Sequence, residues 1–329
     1  METIDQLRIN FSPEALVVLN GVLALLMFSI ALDIRLDDFR QLVRQPRPAL
    51  VGLASEYLYL PSVTLALVYA VEPAASIALG MVLLAVCPGG STSNYAAYLA
   101  RGNTALSVML TSVTTLGAAL ITPLAFGFWQ RFLPARVRSG IQLEIDFADM
   151  ATTVFFLVIV PVIAGVGLNE LRPRSADRLR KPFKILSAAI FVGFVLIAVA
   201  SNLPQIGEYL GVVFGLTAVH NGLALLGGFV VATIAGVSRA NRRTITLETG
   251  LQNSGLGMTL VFTFFDGLGG MAIVLAWWGI WHLVTGFTLA YLWGRRPPGE
   301  LVADGPRERV DPDAAPRANR AGGGRRWRP

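Results

Sequence analysis

Two segments of this chain gather polar side chains in otherwise apolar surroundings. The first, CPGGSTSNYAAYLARGN at residues 87–103, places four hydroxyl or amide side chains directly after a Pro-Gly-Gly sequence. The second, TITLETGLQNSGLGMTLVF at residues 244–262, places Glu248 with amide and hydroxyl groups among three glycines. Oxygen atoms of these kinds, together with backbone carbonyls, are ligands that suit a hard cation. The two segments therefore predict cation binding. The sequence offers no nucleophile–base pair, metal-ligand cluster or phosphate-binding glycine loop that would indicate an enzyme.

Glu248 is the most informative of these residues. A charge in the middle of an apolar span costs at least about 2.5–3.5 kcal/mol unless it is compensated. Gln252 follows four residues later and shares a face with Glu248 if the helix persists between them. Ser107 and Thr111, one span earlier, share a face through the same spacing. For the hydroxyl groups taken singly, a hydrogen bond to their own helix remains the alternative.

A second acid, Glu56, lies about a third of the way into another apolar segment, VGLASEYLYLPSV. If Glu56 faces the same cavity as Glu248, two carboxylates share one site. Like charges at one site require either a cation between them or a proton on one of them. The alternative is that Glu56 lies near the membrane surface with its carboxylate in water.

Composition indicates that membrane-spanning helices must position these residues. Of the 329 residues, 54% are hydrophobic and 15% are charged, against about 25% charged in an ordinary soluble domain. Uncharged runs of 18 or more residues are typical of transmembrane helices. We predict an all-α polytopic membrane protein with nine crossings, the third and eighth interrupted, at 14–33, 48–70, 76–101, 104–129, 148–168, 185–203, 210–237, 241–265 and 269–294.

The basic residues predict the orientation of the chain. With the N-terminus outside and the C-terminus cytoplasmic, 23 of the 27 Lys and Arg residues lie on the inner side, as the positive-inside rule requires. We therefore predict a multi-pass protein of the inner (plasma) membrane. The basic residues lie between spans and in the tail rather than interleaved with aromatics, which argues against nucleic-acid binding. The Pro- and Arg-rich segment 296–329 predicts a disordered cytoplasmic tail.

The two polar segments interrupt one helix in each half of the chain. In hydrocarbon, a freed backbone N–H or C=O costs several kcal/mol, so irregular backbone is tolerated only inside protein or beside a water-filled cavity. Paired interruptions of this kind are typical of secondary transporters built from inverted repeats, in which the two breaks meet near the membrane midplane. We therefore predict an inverted-repeat transporter with two broken helices, and the family resemblance described next implies that they cross.

The break sequences resemble those of the bile acid:sodium symporter family. The resemblance rests on CPGGSTSN followed by ARGN, and on LETGLQNSGLG, and it extends from Met27 to Gly294 through DFRQLVRQPR, AVHNG and WHLVTG. It implies a panel domain, at 12–46 and 147–206. It also implies a core domain that carries the cation and substrate sites, at 47–130 and 207–295.

The same resemblance implies two sodium sites. The first site takes ligands from Ser93, Asn94, Ser107, Thr111 and Glu248. The second takes Glu248, Gln252, the backbone carbonyls of Thr249 and Leu251, and a position at which the family carries glutamine and this chain carries Glu56. This departure adds a charge, so it leaves the stoichiometry and the involvement of protons open.

The resulting hypothesis is sodium-coupled symport of an organic anion, either bile-acid-like, steroid-like or a small carboxylate, across the lipid bilayer without an obligate protein partner. We predict substrate contacts from Ser91, Asn253 and His282, with a neutral packing role as the alternative for His282. Two further hypotheses remain. One is proton coupling through Glu56 and Glu248. The other is a metalloid efflux carrier of related fold, which if thiolate-dependent would require Cys87 as a ligand, or a receptor that binds without transport.

Overall fold

The computed structural model describes residues 4–9, 13–32, 34, 46–140, 147–201 and 203–295. Within these ranges the protein is helical, as predicted, and contains no strand. The α-helices are α1 (Pro13–Ala31), α2 (Pro46–Ala54), α3 (Leu60–Val71), α4 (Ala75–Ala85), α5 (Thr92–Leu99), α6 (Thr104–Trp129), α7 (Ala135–Gly140), α8 (Phe147–Val154), α9 (Val160–Leu171), α10 (Pro173–Ser201), α11 (Leu203–Ile234), α12 (Arg239–Gly250), α13 (Ser254–Phe264) and α14 (Gly269–Gly294). A short 3-10 turn, Gln130–Phe132, follows α6. The predicted tail at 296–329 lies outside the described residues.

Five helical segments of the described chain are long and apolar enough to cross a membrane. They are Pro46–Val71, Thr104–Phe132, Ala148–Leu171, Gly211–Ile234 and Gly269–Gly294. Shorter apolar helices cover Val17–Ala31, Ala75–Ala85 and Ser254–Phe264. The fold class is therefore that of a polytopic membrane protein, and the total of nine crossings stays a prediction. Helices α10 and α11 begin well before the predicted spans at 185 and 210, because hydropathy marks only the apolar part of a helix that continues into polar sequence.

Two π-helical turns interrupt the long helices, and the sequence analysis did not predict them. Ser55–Tyr59 joins α2 to α3, and Phe155–Ile159 joins α8 to α9. Each turn ends two residues before a proline, which lacks an N–H and crowds the carbonyl four residues earlier. The widened turn accommodates this: the N–H of Leu60 donates to the carbonyl of Ser55, five residues back. Such turns often occur at functional sites, and the turn Ser55–Tyr59 carries Glu56.

Helix packing assembles the two polar segments from distant parts of the chain. Helix α1 packs against α9 and α10, whereas α14 packs against α4, α5, α11 and α13. Helix α12 packs against α5, α6 and α11, so the residues after α4 and those after α12 lie together inside the protein. The division into core and panel domains stays a prediction.

Candidate cation site

The two non-helical segments lie side by side inside the protein. Helix α4 ends at Ala85 and α5 begins at Thr92, while α12 ends at Gly250 and α13 begins at Ser254. The N–H of Gly90 donates to the carbonyl of Leu251 at 2.8 Å, and the N–H of Asn253 donates to the carbonyl of Pro88 at 2.9 Å. A short antiparallel bridge thereby pairs Gly89 with Gln252. Each segment thus provides hydrogen-bond partners for backbone groups of the other that have no partner within a helix. In a membrane interior such backbone groups must be hydrogen-bonded within the protein.

Glu248 lies fully buried at the end of α12 and accepts hydroxyl hydrogen bonds from two other helices. Ser93 Oγ donates to Glu248 Oε1 at 2.7 Å, and Ser107 Oγ donates to the same oxygen. Thr111 Oγ1 donates to Glu248 Oε2 at 3.2 Å. Ser107 Oγ and Thr111 Oγ1 also lie within hydrogen-bond distance of Asn94 Oδ1, at 2.9 and 3.1 Å. Ser107 and Thr111 thus share a helix face as predicted, and all five residues of the predicted first site form one cluster.

The other side of the Glu248 carboxylate faces Gly89 and the second acid. A β-carbon placed on Gly89 would lie 2.8 Å from Glu248 Oε2 and 3.8 Å from Glu56 Oε2. Both acids are buried, with Glu56 only 1% exposed. The alternative that places Glu56 in water is therefore wrong. Gly89 is needed at this point because any larger residue would enter the space between the two carboxylates.

Glu56 lacks the hydrogen bonds that stabilise Glu248. Within the described part of the chain, neither carboxylate oxygen of Glu56 has a hydrogen-bond partner, and Gln252 Oε1 lacks one as well. Buried polar oxygens are normally satisfied, so these three atoms require an explanation. A cation coordinated by them would provide one, and carboxylate and amide oxygens are suitable ligands for sodium.

The remaining predicted ligands of the second site already accept hydrogen bonds. The carbonyl of Leu251 accepts from Gly90, and the carbonyl of Thr249 accepts from Gln252 Nε2 at 3.1 Å. Each carbonyl oxygen has a second lone pair that remains available. Gln252 and Glu248 would share a helix face only if the helix continued between them. It does not, because α12 ends at Gly250 and Gln252 lies in the non-helical segment before α13.

Ser55 is a site residue that the sequence analysis missed. It precedes Glu56 in the π-helical turn, and its Oγ lies 2.7 Å from Thr249 Oγ1, the residue after Glu248. This buried contact fixes the turn against α12 and thereby positions Glu56 beside Glu248. A lone serine in an apolar run gave no signal of this role, because the contact joins two distant segments.

Asn221 supports the end of α12 from a neighbouring helix. Its Nδ2 donates to the carbonyl of Gly250 at 2.9 Å, and its Oδ1 accepts from Thr285 Oγ1 at 2.5 Å. The carbonyl of Gly250 belongs to the last turn of α12, where helical partners run out. Asn221 lies in the AVHNG sequence and Thr285 in the WHLVTG sequence. Both sequences were part of the resemblance to the symporter family, but that resemblance did not indicate this hydrogen bonding.

The three predicted substrate residues do not form a comparable cluster. Asn253 caps α13 by accepting from the N–H of Leu256 at 3.0 Å. His282 is buried and its Nδ1 lies 2.5 Å from the carbonyl of Trp278, one turn earlier in its own helix. Ser91 is partly exposed before α5, and no hydrogen bond from its side chain to a described residue is found. Direct substrate contact by these residues stays a prediction.

The chemistry of the site fits an alkali cation better than a transition metal. The described residues contain no group of three or more His, Cys, Asp or Glu side chains that could hold a metal ion. Cys87 is buried at the start of the first segment. No Lys, Arg or His lies within 4 Å of either buried carboxylate in the described part of the chain, so bound cations or protons would have to supply the compensating charge.

Comparison with known proteins identifies the family of the chain. A model of the Sodium Bile acid symporter family matches residues 21–209, which is more than half of the chain. The chain belongs to this symporter family. It is 31% identical over 275 residues to the uncharacterized sodium-dependent transporter YocS of Bacillus subtilis, covering 83% of this chain and 82% of that protein.

Other relatives of the symporter come from plants and mammals. It is 30% identical over 276 residues to the probable sodium/metabolite cotransporter BASS2, chloroplastic, of Oryza sativa, covering 78% of this chain and 62% of that protein. It is 30% identical over 271 residues to the ileal sodium/bile acid cotransporter of Oryctolagus cuniculus, covering 78% and 74%. The chain is therefore a sodium-coupled membrane transporter and not an enzyme.

Proposed function

We propose that this transporter moves an organic anion together with sodium by alternating access, with two sodium sites that share Glu248. The observation that carries this proposal is that the two carboxylate oxygens of Glu248 have different surroundings. Oε1 accepts from the hydroxyl groups of Ser93 and Ser107, whereas Oε2 accepts from Thr111 and lies on the side of Gly89 and Glu56. This arrangement supports a role in which the carboxylate contributes an oxygen to each of two neighbouring cations.

Coupling follows from the charge and the flexibility of the site. Without cations, Glu248 and Glu56 put two negative charges beside the crossing of the two segments. Sodium ions would neutralise this charge and tie the non-helical segments together, so that an anion meets a less negative and preformed site. By linkage, an anion that favours the sodium-loaded state raises sodium affinity by the same factor.

Glu56 is the feature that distinguishes the second site. We assign it as a sodium ligand, together with Gln252 and Glu248, since its two buried oxygens have no hydrogen-bond partner among the described residues. A carboxylate here would strengthen sodium binding relative to a neutral amide, because Coulomb attraction at about 4 Å is worth roughly 4 kcal/mol at an effective dielectric of 20.

The substrate class rests on the relatives. One is named as a sodium/bile acid cotransporter and another as a sodium/metabolite cotransporter, and both descriptions fit a carboxylate-bearing molecule. We keep Ser91, Asn253 and His282 as proposed substrate contacts. Of the three, Ser91 is the residue whose side chain has no hydrogen-bond partner among the described residues. The proposed orientation has the N-terminus outside and the C-terminus in the cytoplasm of a plasma (inner) membrane.

Uptake into proteoliposomes tests this proposal. Radiolabelled taurocholate, a steroid sulfate and pyruvate are each offered with an inward sodium gradient and with potassium in its place. We expect sodium-stimulated uptake of at least one anion, and its loss in Glu248→Ala. Sodium-independent uptake, or full activity of Glu248→Ala, would overturn the coupling mechanism. Uptake that follows a pH gradient at fixed sodium would support proton coupling through Glu56 and Glu248 instead.

A further inference from the structure

A cavity of about 640 Å³ lies at one end of the membrane-spanning helices, away from the cation site. It opens between α3, the end of α6 and α7. Four aromatic residues and two arginines form most of its wall, and none of the described residues that line it is acidic. These six residues are Tyr69, Phe128, Trp129, Phe132, Arg131 and Arg138.

The aromatic wall is held in a defined arrangement. The rings of Phe128 and Trp129 lie 5.3 Å apart between centroids, and those of Phe128 and Phe132 lie 5.1 Å apart. Tyr69 donates from its hydroxyl to the carbonyl of Phe132 at 2.9 Å, which ties α3 to the 3-10 turn after α6. Aromatic residues of this kind are enriched where a protein crosses the boundary between lipid and water.

The two arginines lie at this wall without an acidic partner. Both are exposed, and within the described ranges neither is within 4 Å of a carboxylate. Arg136, from the same helix as Arg138, behaves differently: it pairs with Glu72 at 3.8 Å and donates to the carbonyl of Pro73 at 3.4 Å. Among the described residues, the cavity thus presents two positive charges without an acidic partner beside an aromatic surface.

An exposed apolar stripe on α6 leads to this cavity. Leu120, Leu124 and Phe128 follow one another at intervals of four residues and are 64%, 60% and 50% exposed, so they lie on one face of the helix. Arg131 comes one turn after Phe128. A molecule lying along this face would meet apolar side chains over most of its length and positive charge at its end.

We propose that this cavity binds the headgroup of an anionic phospholipid from the surrounding bilayer. Arg131 and Arg138 would bind the phosphate, since guanidinium groups match phosphate geometry through paired hydrogen bonds. The aromatic wall would pack against the glycerol region, and the stripe Leu120–Leu124–Phe128 would contact an acyl chain. Charge complementarity and the continuity of the stripe with the cavity favour a bilayer lipid over a soluble anion.

Thermal unfolding of the purified full-length protein in detergent tests the proposal. Phosphatidylglycerol and phosphatidylcholine are titrated in parallel, and native mass spectrometry counts bound lipid. We expect phosphatidylglycerol to raise the unfolding temperature of the wild-type protein saturably and phosphatidylcholine to have little effect. In the double variant Arg131→Gln/Arg138→Gln, the apparent affinity for phosphatidylglycerol should fall at least tenfold.

Two control variants separate this site from general charge effects. Arg136→Gln removes a neighbouring arginine that is already paired, and Arg174→Gln/Arg178→Gln removes two exposed arginines from α10; both should retain the wild-type response. An unchanged response in the Arg131→Gln/Arg138→Gln protein would overturn the proposal, as would equal stabilisation by phosphatidylcholine. Equal stabilisation by glycerol 3-phosphate would identify a site for soluble anions instead. If the double variant fails to fold, the single variants and Phe128→Ala provide the same comparison.

Discussion

Glu56 and Glu248 direct carboxylate oxygens to the same point in the protein interior, although they come from opposite halves of the chain. The point lies beside Gly89, with Glu248 Oε2 at 2.8 Å and Glu56 Oε2 at 3.8 Å from the position of a β-carbon there. Glu248 is surrounded by hydroxyl donors, whereas Glu56 has no hydrogen-bond partner among the described residues. Because of this difference, we expect replacement of Glu56 and replacement of Glu248 to affect sodium binding differently.

Glu56→Gln should weaken one of two sodium-binding steps. A neutral amide in place of the carboxylate removes a full charge from a buried site, and we expect at least a tenfold loss of apparent sodium affinity, or about 1.4 kcal/mol. The measurement is sodium titration of the substrate-free protein by thermal unfolding, at constant ionic strength with potassium. Glu56→Asp keeps the charge and should retain more of the affinity. A Glu56→Gln curve identical to that of the wild type would show that Glu56 is not a ligand.

Glu248→Gln should abolish sodium dependence more completely than Glu56→Gln. The substitution removes charge from both proposed sites, and its amide nitrogen cannot accept the hydroxyl hydrogen bonds that the carboxylate oxygens accept. We expect no sodium-dependent shift of the unfolding temperature within the concentration range that saturates the wild type. Ser107→Ala, which removes one hydroxyl from the first proposed site only, serves as the comparison and should give an intermediate loss. Wild-type sodium binding by Glu248→Gln would contradict the shared role of this carboxylate.

Gly89→Ala should impair sodium binding while Gly90→Ala is tolerated better. A methyl group on Gly89 would enter the space between the two acids, 2.8 Å from Glu248 Oε2. On Gly90 the nearest atoms would lie at 3.4 Å, which neighbouring groups can accommodate with small shifts. Both variants are compared by sodium titration and by sodium-driven uptake. Equal effects of the two substitutions would show that sodium binding depends on the backbone of the non-helical segment as a whole and not on the space beside Gly89.

Asn221→Val should destabilise the protein without removing any proposed ligand. The carbonyl of Gly250 would lose a buried partner, at a cost of about 1–3 kcal/mol, whereas the hydroxyl of Thr285 keeps the carbonyl of Trp281 as an acceptor at 3.2 Å. The free energy of unfolding is measured by denaturant titration in mixed micelles. Thr285→Val removes only one of the two hydrogen bonds and should have the smaller effect. A stability loss below that of Thr285→Val would exclude a supporting role for Asn221.

Much of the candidate site could be predicted because its signals are local. Apolar runs mark most helices, and a Pro-Gly-Gly or glycine-rich interruption marks where a helix must end. The polar residues beside these interruptions stand out against an apolar background. For that reason Ser93, Asn94 and Glu248 could be identified as candidates, and Ser107 and Thr111 followed from their spacing on one helix.

Other features depended on contacts between distant segments. Glu56 could be noticed as an acid in an apolar run, but its burial beside Glu248 depends on a π-helical turn and on the contact of Ser55 with Thr249. Asn253 and His282 are polar residues beside the site, yet the structure shows both engaged with nearby backbone groups. Sequence pattern does not distinguish a side chain that is free to bind a ligand from one that already has a partner.

The sequence by itself determined the helices, their interruptions and the oxygen-rich chemistry at those interruptions, since each depends on residues within a few positions of one another. Only the tertiary structure decided that Gly89 pairs with Gln252, and that Glu248 and Glu56 lie on two sides of Gly89 with different hydrogen-bond partners. These relations arise when α12 packs against α5 and α6, and buried backbone and side-chain oxygens must then find partners across the helices rather than along them.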